Sequence, residues 1–325
     1  MRQLLTSCLR WCVAASAALL LAAPAQAAYP EKTVRIVVPW EPGGSADVFA
    51  RQLADHLAKE TNQSFVIENK PGASGNIGSA QVARAPADGY TLLLGSMSTH
   101  IFQPAIGASA PFDPIDSFTP IARLGFITNT LAVRSALPVN SVKELIDYAK
   151  ANPGKVSYAS AGVGSFNHLS AALFEKRAGI ELLHVPYKGG SKAALATASG
   201  ETDMVFSSIG LTAPHTKSNR LRILAVAEAR RSTLLPSAPT VADTLPGFQV
   251  SIWYGLFGPK GLPTEVTEAL SRWAQKMSAD PEARAKLAQG GAEFDIVTGN
   301  QFLTQMRSET ASWKAFATQN GIKAQ

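Results

Sequence analysis

Two glycine-rich turns, each placed between an apolar run and an amphipathic segment, most constrain what this chain can fold into. The first glycine turn, residues 39–47, follows the apolar run Val34–Val38. The second glycine turn, residues 160–165, follows the apolar run 156–159. Each pattern predicts a strand, a tight turn and the start of a helix, so the unpaired N–H groups and the positive dipole end of that helix face the turn. Since glycine lets a ligand approach the bare backbone, two such turns predict an anion-binding cleft.

The first 27 residues have the pattern of a secretory signal peptide. Two arginines are followed by the apolar stretch 11–23, and residues 25–27 form a small-residue cleavage site. The apolar stretch is too short to cross the ~30 Å hydrocarbon core of a membrane. We therefore expect export and cleavage after Ala27.

Composition excludes several classes of site. Cys8 and Cys12 both lie in the leader, so the exported chain has no disulfide, thiolate nucleophile or cysteine metal site. The formal charge of +6 comes from scattered residues, without the basic and aromatic interleaving of nucleic-acid-binding proteins. The five histidines lack metal-ligand spacing, and residues 72–78 spell GxxGxxG rather than a dinucleotide motif. We expect no nucleic acid, no metal and no cofactor.

The exported part alternates short apolar runs with amphipathic segments, which is typical of βα units and predicts an α/β fold with mostly parallel sheets. One series of units ends near residue 127 and a second ends near residue 250. We therefore predict one lobe from residues 28–127 plus 251–325 and another from 128–250, with hinge segments near 126–130 and 249–253.

Polar side chains follow many of the predicted strands, where open α/β sheets bind ligands. Ser45 and Ser165 also fit as helix caps, Asp47 as a partner of the helix dipole, and His168 as a core histidine. With the turn glycines, the candidate binding residues are Gly43, Gly44, Ser45, Asp47, Ser74, Asn76, Ser96, Thr99, His100, Gly164, Ser165, His168, Tyr187, Ser207 and Ser208.

Several stretches in order along the chain resemble those of Bug-type extracytoplasmic solute receptors, the substrate-binding components of tripartite tricarboxylate transporters. The resemblance covers nearly the whole exported chain. The stretches include residues 39–47, 69–72 (NKPG), 86–94 (PADGYTLLL), 158–165, 184–189 (HVPYKG) and 253–257.

This resemblance implies a two-lobed periplasmic binding protein of type II, the "Venus flytrap" fold, each lobe having a mostly parallel sheet flanked by helices. It also implies that the two glycine turns hold a ligand carboxylate largely through backbone N–H groups and bridging waters. The residues that it adds to the site are Trp40 in the first turn, Ser160 and Ala161 in the second, and Asp203, which with His168 and Tyr187 would shape the second wall.

Two residues of the first turn depart from the family pattern. Trp40 stands where the family usually has phenylalanine, and Glu41 stands where it has a small residue or proline. Glu41 would repel a carboxylate unless it faces solvent or meets an ammonium or a hydroxyl. In the separate turn of residues 71–78, Ser74 stands where the family commonly has glycine. The aromatic rings of Trp40, Phe126 and Phe166 would favour an aromatic carboxylate by stacking.

The sequence thus predicts a periplasmic solute-binding protein, not an enzyme, that captures a small organic carboxylate between its lobes for membrane permease subunits. Two alternatives stay open at this point. The chain would be an exported enzyme if the cleft held a nucleophile or base, or a ligand-sensing partner of a signalling kinase. Ligand identity does not follow from the sequence.

Overall fold

The computed structural model describes residues 29–43 and 45–324, apart from the side chains of Ser45 and Ser74. The predicted signal peptide and Gly44 of the first glycine turn therefore lie outside the described residues. The compact unit that carries the fold runs from Lys32 to Gln325. Within the described part, every helix is too short or too polar to cross a membrane.

A six-stranded sheet forms the first lobe. Its strands are β1 (Val34–Val38), β2 (Phe65–Asn69), β3 (Thr91–Ser96), β4 (Phe118–Ile127), β10 (Ile252–Pro259) and β11 (Ala292–Thr298). They lie in the order β11-β4-β10-β3-β1-β2. Strand β1 pairs in parallel with β2 and β3, whereas β10 runs antiparallel between β3 and β4, and β11 runs antiparallel to β4.

A five-stranded sheet forms the second lobe. Its strands are β5 (Asn129–Arg134), β6 (Ser157–Ser160), β7 (Leu183–Pro186), β8 (Met204–Ser208) and β9 (Leu221–Val226). They lie in the order β7-β6-β8-β5-β9. Strand β6 is parallel to β7 and β8, and β5 runs antiparallel between β8 and β9.

Helices connect these strands and flank both sheets. A π-helical turn, Ser98–Phe102, leads into the short helix Gln103–Ala105 after β3. The longer helices are α1 (Ser45–Thr61), α2 (Asn76–Ala83), α3 (Val142–Ala151), α4 (Phe166–Ala178), α5 (Gly190–Ser199), α6 (Ile209–Lys217), α7 (Thr264–Ala279), α8 (Pro281–Gln289) and α9 (Gly299–Gln319).

Local sequence signals account for where these helices lie. Phe49, Leu53 and Leu57 of α1 recur with helical spacing and are fully buried. At the start of α3, the Ser141 side chain accepts a hydrogen bond from the Glu144 N–H, and the Glu144 carboxylate accepts one from the Asn140 N–H. Such reciprocal capping satisfies N–H groups that the first helical turn leaves unpaired.

The structure confirms the predicted two-lobed α/β architecture and shows that both sheets are mixed. Strands β5 and β10, each antiparallel to both of its neighbours, begin where the chain has just crossed between the lobes, and β11 is also antiparallel to its neighbour β4. Strands β4 and β11, which the apolar pattern did not predict, complete one edge of the first sheet. The lobe boundaries remain a prediction. It is supported by the strands, because all strands of each sheet lie within one predicted lobe.

The two lobes are joined by the segments between β4 and β5 and between β9 and β10. Thr128, the single residue between β4 and β5, donates its N–H to the Gly291 carbonyl and accepts from the Ile209 N–H, both at 2.9 Å. The Glu293 carboxylate on β11 accepts hydrogen bonds from the hydroxyls of Thr128, Ser232 and Thr233 at 3.0, 2.6 and 2.7 Å. The Glu293 contacts tie Thr128 and the connection after β9 to the edge of the first sheet.

The close packing of β4 against β11 at Gly125 can be tested by substitution. A Cβ at this position would collide with the carbonyl oxygen of Glu293 and lie 3.0 Å from the Phe294 Cα, so the two backbones would have to separate. We expect Gly125→Ala to lower the free energy of unfolding by roughly 1–3 kcal/mol, the usual cost of overpacking. Urea unfolding of both proteins measures this difference.

Gly210→Ala is the matched control for that experiment. Gly210 lies in α6, and its added Cβ would meet only the Gly290 carbonyl oxygen at 3.6 Å, an ordinary contact. Alanine is favoured over glycine inside a helix, so no loss of stability is expected there. Equal unfolding midpoints for Gly125→Ala and Gly210→Ala would contradict the described β4–β11 contact.

Candidate functional site

A cleft of about 220 Å³ lies between the two lobes, and both contribute to its walls. Its floor consists of residues at the lobe crossings, Ile127, Asn129 and Ile252. The first lobe adds Trp40, and the second adds the polar ends of strands and helices. The cleft therefore forms where the sheets meet, the position at which open α/β sheets bind ligands.

Three helix N-termini of the second lobe converge on this cleft. Ser165 caps α4, Gly190 begins α5 and Ser208 caps α6, and all three residues line the cavity. The first-turn N–H groups of a helix have no partner in the helix, and its dipole places partial positive charge there. The second-lobe wall is thus suited to an anion without any cationic side chain.

The second glycine turn is held in shape by its own side chains. The Gly162 N–H donates to Ser160 Oγ at 3.0 Å, and the Gly164 N–H donates to His168 Nδ1 at 3.2 Å. Ser165 Oγ accepts from the His168 N–H, which caps α4. The N–H groups of Phe166 and Asn167, in the first turn of α4, have no such partner in the described part, and both residues line the cleft.

A stack of aromatic rings stands behind this turn. The ring of His184 stacks on both Tyr158 and His168, with centroid separations of 4.8 and 4.5 Å, and the Tyr158 and His168 centroids are 6.5 Å apart. Burial, together with the neighbouring His184, lowers the pKa of His168 to about 4. His168 is therefore neutral near pH 7, and its Nδ1 accepts the Gly164 N–H.

The first-lobe wall is aromatic and hydroxylic. The ring of Tyr254 packs edge-on against Trp40, with centroids 5.9 Å apart. Ser96 and Ser98 stand beside them, and Ser96 Oγ accepts the Ser98 N–H at 3.1 Å. This wall offers neutral hydroxyl groups and ring faces rather than charge.

Hydrogen bonds to the Asp47 carboxylate hold the first glycine turn in place. The Asp47 carboxylate accepts from the Gly43 N–H at 3.0 Å, from Asn69 at 2.9 Å and from the Arg51 guanidinium at 2.8 and 3.1 Å. Asn69 also donates to the Trp40 carbonyl. Burial alone would raise the pKa of Asp47, but these hydrogen bonds outweigh it, so its pKa lies below the ordinary value. The carboxylate thus stays ionised and shapes the turn.

No charged side chain lines the cleft in the part of the chain that the structure describes. Glu41, which departs from the pattern of the resembling family, is exposed and does not line it. A bound anion would consequently depend on backbone N–H groups, hydroxyls and helix dipoles.

Of the candidate binding residues, six line the cleft together: Trp40, Ser96, Ala161, Ser165, Ser207 and Ser208. Gly43, Ser160, Gly164 and His168 lie in or directly behind the glycine turns. Gly44 and the side chains of Ser45 and Ser74 lie outside what the structure describes.

Two candidates after β3 have internal partners instead. Thr99 Oγ1 accepts from the Ser96 N–H and donates to the Ser96 carbonyl, which closes the turn. His100 is fully buried, hydrogen-bonded to the Pro114 carbonyl and stacked on Phe257 at 4.2 Å. Because the π-helical turn rotates His100 into the core, we leave it out of the proposed site.

Three further candidates lie away from the cleft. Asn76 borders a separate surface cavity beside α2. The Tyr187 hydroxyl donates to the Glu201 carboxylate at 3.2 Å, and Tyr187 does not line the cleft. Asp203 precedes β8, at the end opposite Ser207, and its carboxylate is occupied by Arg134 and Ser157. We therefore do not include these three residues in the proposed site.

Sequence reasoning missed several cleft residues. Tyr254 and Ile252 lie in an apolar run that reads as an ordinary buried strand, and Asn129 lies within the predicted hinge segment 126–130 without a motif. Asn167 and Ser98 had a usable signal, because both lie within two or three residues of a candidate already chosen.

A larger cavity, about 730 Å³, opens beside the hinge on the edge of the first sheet. Arg230, Arg231 and Arg284 line it, and its two carboxylates are committed, Glu293 to the hinge hydroxyls and Asp295 to Arg123. It contains no helix N-terminal residue of the second lobe and neither glycine turn. The interlobe cleft is therefore the better candidate for ligand binding.

Comparison with known proteins shows the family of this chain. The sequence pattern described as "Tripartite tricarboxylate transporter family receptor" matches residues 49–322. The chain belongs to this receptor family. Membership confirms the prediction of a solute-binding protein rather than an enzyme. Protein BugT of Bordetella pertussis is 33% identical over 309 residues, which cover 93% of this chain and 94% of BugT.

Solved structures of this receptor family share the fold. A Rhodopseudomonas palustris protein with adipate is 33% identical, with a TM-score of 0.81 over 91% of this chain and 99% of the other. The periplasmic binding protein BugD is also 33% identical, with a TM-score of 0.77 over 91% of this chain and 100% of BugD. Both confirm the two-lobed α/β fold of the receptor.

The buried histidine makes the receptor's stability depend on pH. His168 has an ordinary pKa of 6.5 when unfolded and about 4 when folded. Since the unfolded chain binds this proton first, stability is present above pH 6.5 and is lost as pH falls towards 4, by up to about 1.4 kcal/mol per pH unit. Thermal unfolding between pH 7 and pH 4.5 measures this loss.

His168→Asn is the comparison variant for that titration. Asparagine keeps an acceptor near the Nδ1 position for the Gly164 N–H, but it does not titrate. We expect a lower stability at pH 7 and a shallower decline with falling pH than in the wild type. Parallel pH profiles for the two proteins would refute the assignment of this proton to His168.

Proposed function

We propose that this protein is a periplasmic receptor that captures a small organic carboxylate in the interlobe cleft and presents it to the membrane permease subunits of a tripartite tricarboxylate transporter. The observation that carries the proposal is the convergence of the N-termini of α4, α5 and α6 on a cleft whose described lining lacks a charged side chain. The relative that contains adipate supports a carboxylate as the ligand.

Helix N-termini suit a receptor that must release its ligand. Backbone N–H groups are already oriented, so little reorganisation is needed when a carboxylate arrives. The binding site also avoids a buried Arg–carboxylate pair, whose desolvation cost is high. The first-lobe hydroxyls of Ser96 and Ser98 lie on the opposite wall and add donors when the lobes approach.

Closure would follow from contacts to both walls. A ligand shifts an open–closed equilibrium only by its extra affinity for the closed state, and here that affinity comes from bridging the two lobes. The segments around Thr128 and residues 249–253 are the proposed pivots. Glu293 on β11 holds the first of them through the Thr128 hydroxyl, and the same carboxylate accepts from Ser232 and Thr233 in the connection between β9 and β10.

A hydrolytic function has one apparent pair of residues to support it, Ser160 and His184, whose Oγ and Nε2 atoms are 2.6 Å apart. Ser160 is fully buried, and its Oγ already accepts the Gly162 N–H. No carboxylate in the described part orients His184. We infer that the pair stabilises the second glycine turn rather than attacking a substrate.

We further propose that residues 1–27 direct export and are removed after Ala27. A signalling kinase as partner has no support in the family description, and we do not propose one. The ligand-binding lobes would then operate in the periplasm, where BugD is placed by its description.

A thermal-shift screen tests the proposed function. The receptor, exported by a bacterial host and freed of bound ligand, is mixed with di- and tricarboxylates, aromatic carboxylates and amino acids. A carboxylate present at 100 times its Kd should stabilise the protein by about 2.7 kcal/mol, seen as a Tm increase of several degrees. No shift with any carboxylate would contradict the proposal.

Ser208→Phe should remove that response without unfolding the protein. Ser208 lines the cleft, is half-buried, and its side chain makes no capping hydrogen bond, so a ring there fills the cavity. Ser312→Phe, on the exposed face of α9, is the control that should retain full binding. Binding to Ser208→Phe with unchanged affinity would place the ligand outside the cleft.

A further inference from the structure

Tyr254 holds an unused hydroxyl group at the first-lobe wall of the cleft. The residue lines the cleft and is 91% buried, since only 9% of its surface is exposed. Its hydroxyl has no hydrogen-bond partner among the described residues. The Tyr254 hydroxyl oxygen is nevertheless not fully enclosed by protein atoms, so it faces open space. The cleft is the open space that Tyr254 borders.

Packing fixes the Tyr254 ring. Trp40 meets it edge-on at 5.9 Å, and Phe49 packs against it at 5.8 Å with a 45° tilt. In the β3–β10 ladder Tyr254 lies directly opposite Ser96, which also lines the cleft. Residues directly opposite in an antiparallel pair project to the same face, so the two hydroxyl-bearing side chains stand side by side.

The protonation state of Tyr254 makes it a donor. Burial raises the pKa of its hydroxyl above the ordinary value, so it keeps its proton at every physiological pH. When a ligand fills the cleft, this donor costs free energy unless the ligand supplies an acceptor. A ligand oxygen there accepts the hydrogen bond, whereas a methyl group at the same place leaves the hydroxyl unpaired.

The charge of the cleft restricts the ligand in a second way. The three helix N-termini all belong to the second lobe, whereas the first lobe contributes neutral hydroxyls and rings. No carboxylate lines the cleft within the described residues, and Glu41 is exposed. An ammonium group on the ligand would enter the cleft without a counter-charge.

We infer that Tyr254 is a specificity-determining residue, and that the ligand is an amino-free carboxylate with a second oxygen function at its far end. This inference rests on the proposed function. The carboxylate lies against the N-termini of α4, α5 and α6, and the far oxygen accepts a hydrogen bond from the Tyr254 hydroxyl. Dicarboxylates and oxo or hydroxy acids satisfy this requirement, whereas simple fatty acids and amino acids do not.

Matched ligand pairs test the inference by calorimetry. Each pair has the same number of carbons: succinate and butanoate, glutarate and pentanoate, adipate and hexanoate, with 2-aminoadipate as the ammonium probe. In the wild type, the oxygen-ended member of the best-binding pair should bind roughly 10- to 100-fold more tightly, as expected for a hydrogen bond to a charged group. The 2-aminoadipate probe should bind more weakly than adipate.

Tyr254→Phe isolates the hydroxyl. The variant keeps the ring contacts to Trp40 and Phe49, so its urea unfolding midpoint should match the wild type. Its affinity for the oxygen-ended ligand should fall by roughly 10- to 100-fold, while its affinity for the methyl-ended ligand stays the same. Tyr148→Phe, a half-buried tyrosine on α3 outside the cleft, is the control and should change neither.

Three results would overturn the inference while the proposed function stands. These are equal wild-type affinity for both members of every pair, a preference that Tyr254→Phe leaves intact, or tighter binding of 2-aminoadipate than of adipate. If no carboxylate in these pairs or in the thermal-shift screen binds, the proposed function fails and this inference fails with it.

Discussion

The antiparallel pairing of β10 between β3 and β4 is the constraint on which the site depends. Strand β4 leads out to the second lobe through Thr128, and β10 brings the chain back, so both crossings lie side by side in one sheet. This arrangement places Ile127 and Ile252 at the floor of the cleft. It also sets Tyr254 beside Ser96 on the first-lobe wall. The cleft floor, the first-lobe wall and the hinge therefore all belong to the neighbouring strands β3, β10 and β4.

The two walls of the cleft differ in their chemistry. The second lobe directs three helix N-termini into the cavity, and the N–H groups of Phe166 and Asn167, in the first turn of α4, have no partner among the described residues. In both glycine turns, by contrast, glycine N–H groups are already donated within the protein, Gly43 to Asp47 and Gly164 to His168. The second glycine turn thus positions the N-terminus of α4 for an anion, whereas the first is linked to the Trp40 carbonyl through Asn69 and Asp47.

Much of the fold could be predicted because its signals are local. The apolar run of β1, the stripe Phe49, Leu53 and Leu57, and the capping of α3 by Ser141 each depend on neighbouring residues alone. Strands β4 and β11 were missed for the opposite reason. Pro120 interrupts the pattern of β4, and Glu293 and Asp295 make β11 read as polar, yet their partners lie far along the chain.

Site residues could be predicted from the sequence where they follow the ends of strands. They could not be predicted where long-range packing decides which side chains reach the cleft. Ser96 and Ser207 line the cleft as their positions after apolar runs indicate. His100, four residues after Ser96, was indistinguishable from them in sequence, but stacking on Phe257 takes it into the core. Tyr254 had no local signal at all. Its role depends on the absence of a partner for its hydroxyl, which only the three-dimensional contacts reveal.

A crystal structure of the receptor with a carboxylate selected by the thermal-shift screen tests the central claim most directly. The account predicts that the ligand lies in the interlobe cleft, with carboxylate oxygens within hydrogen-bond distance of first-turn N–H groups of α4, α5 or α6. An occupied arginine-lined cavity beside Arg230 and Arg284, with the interlobe cleft free of ligand, would contradict it.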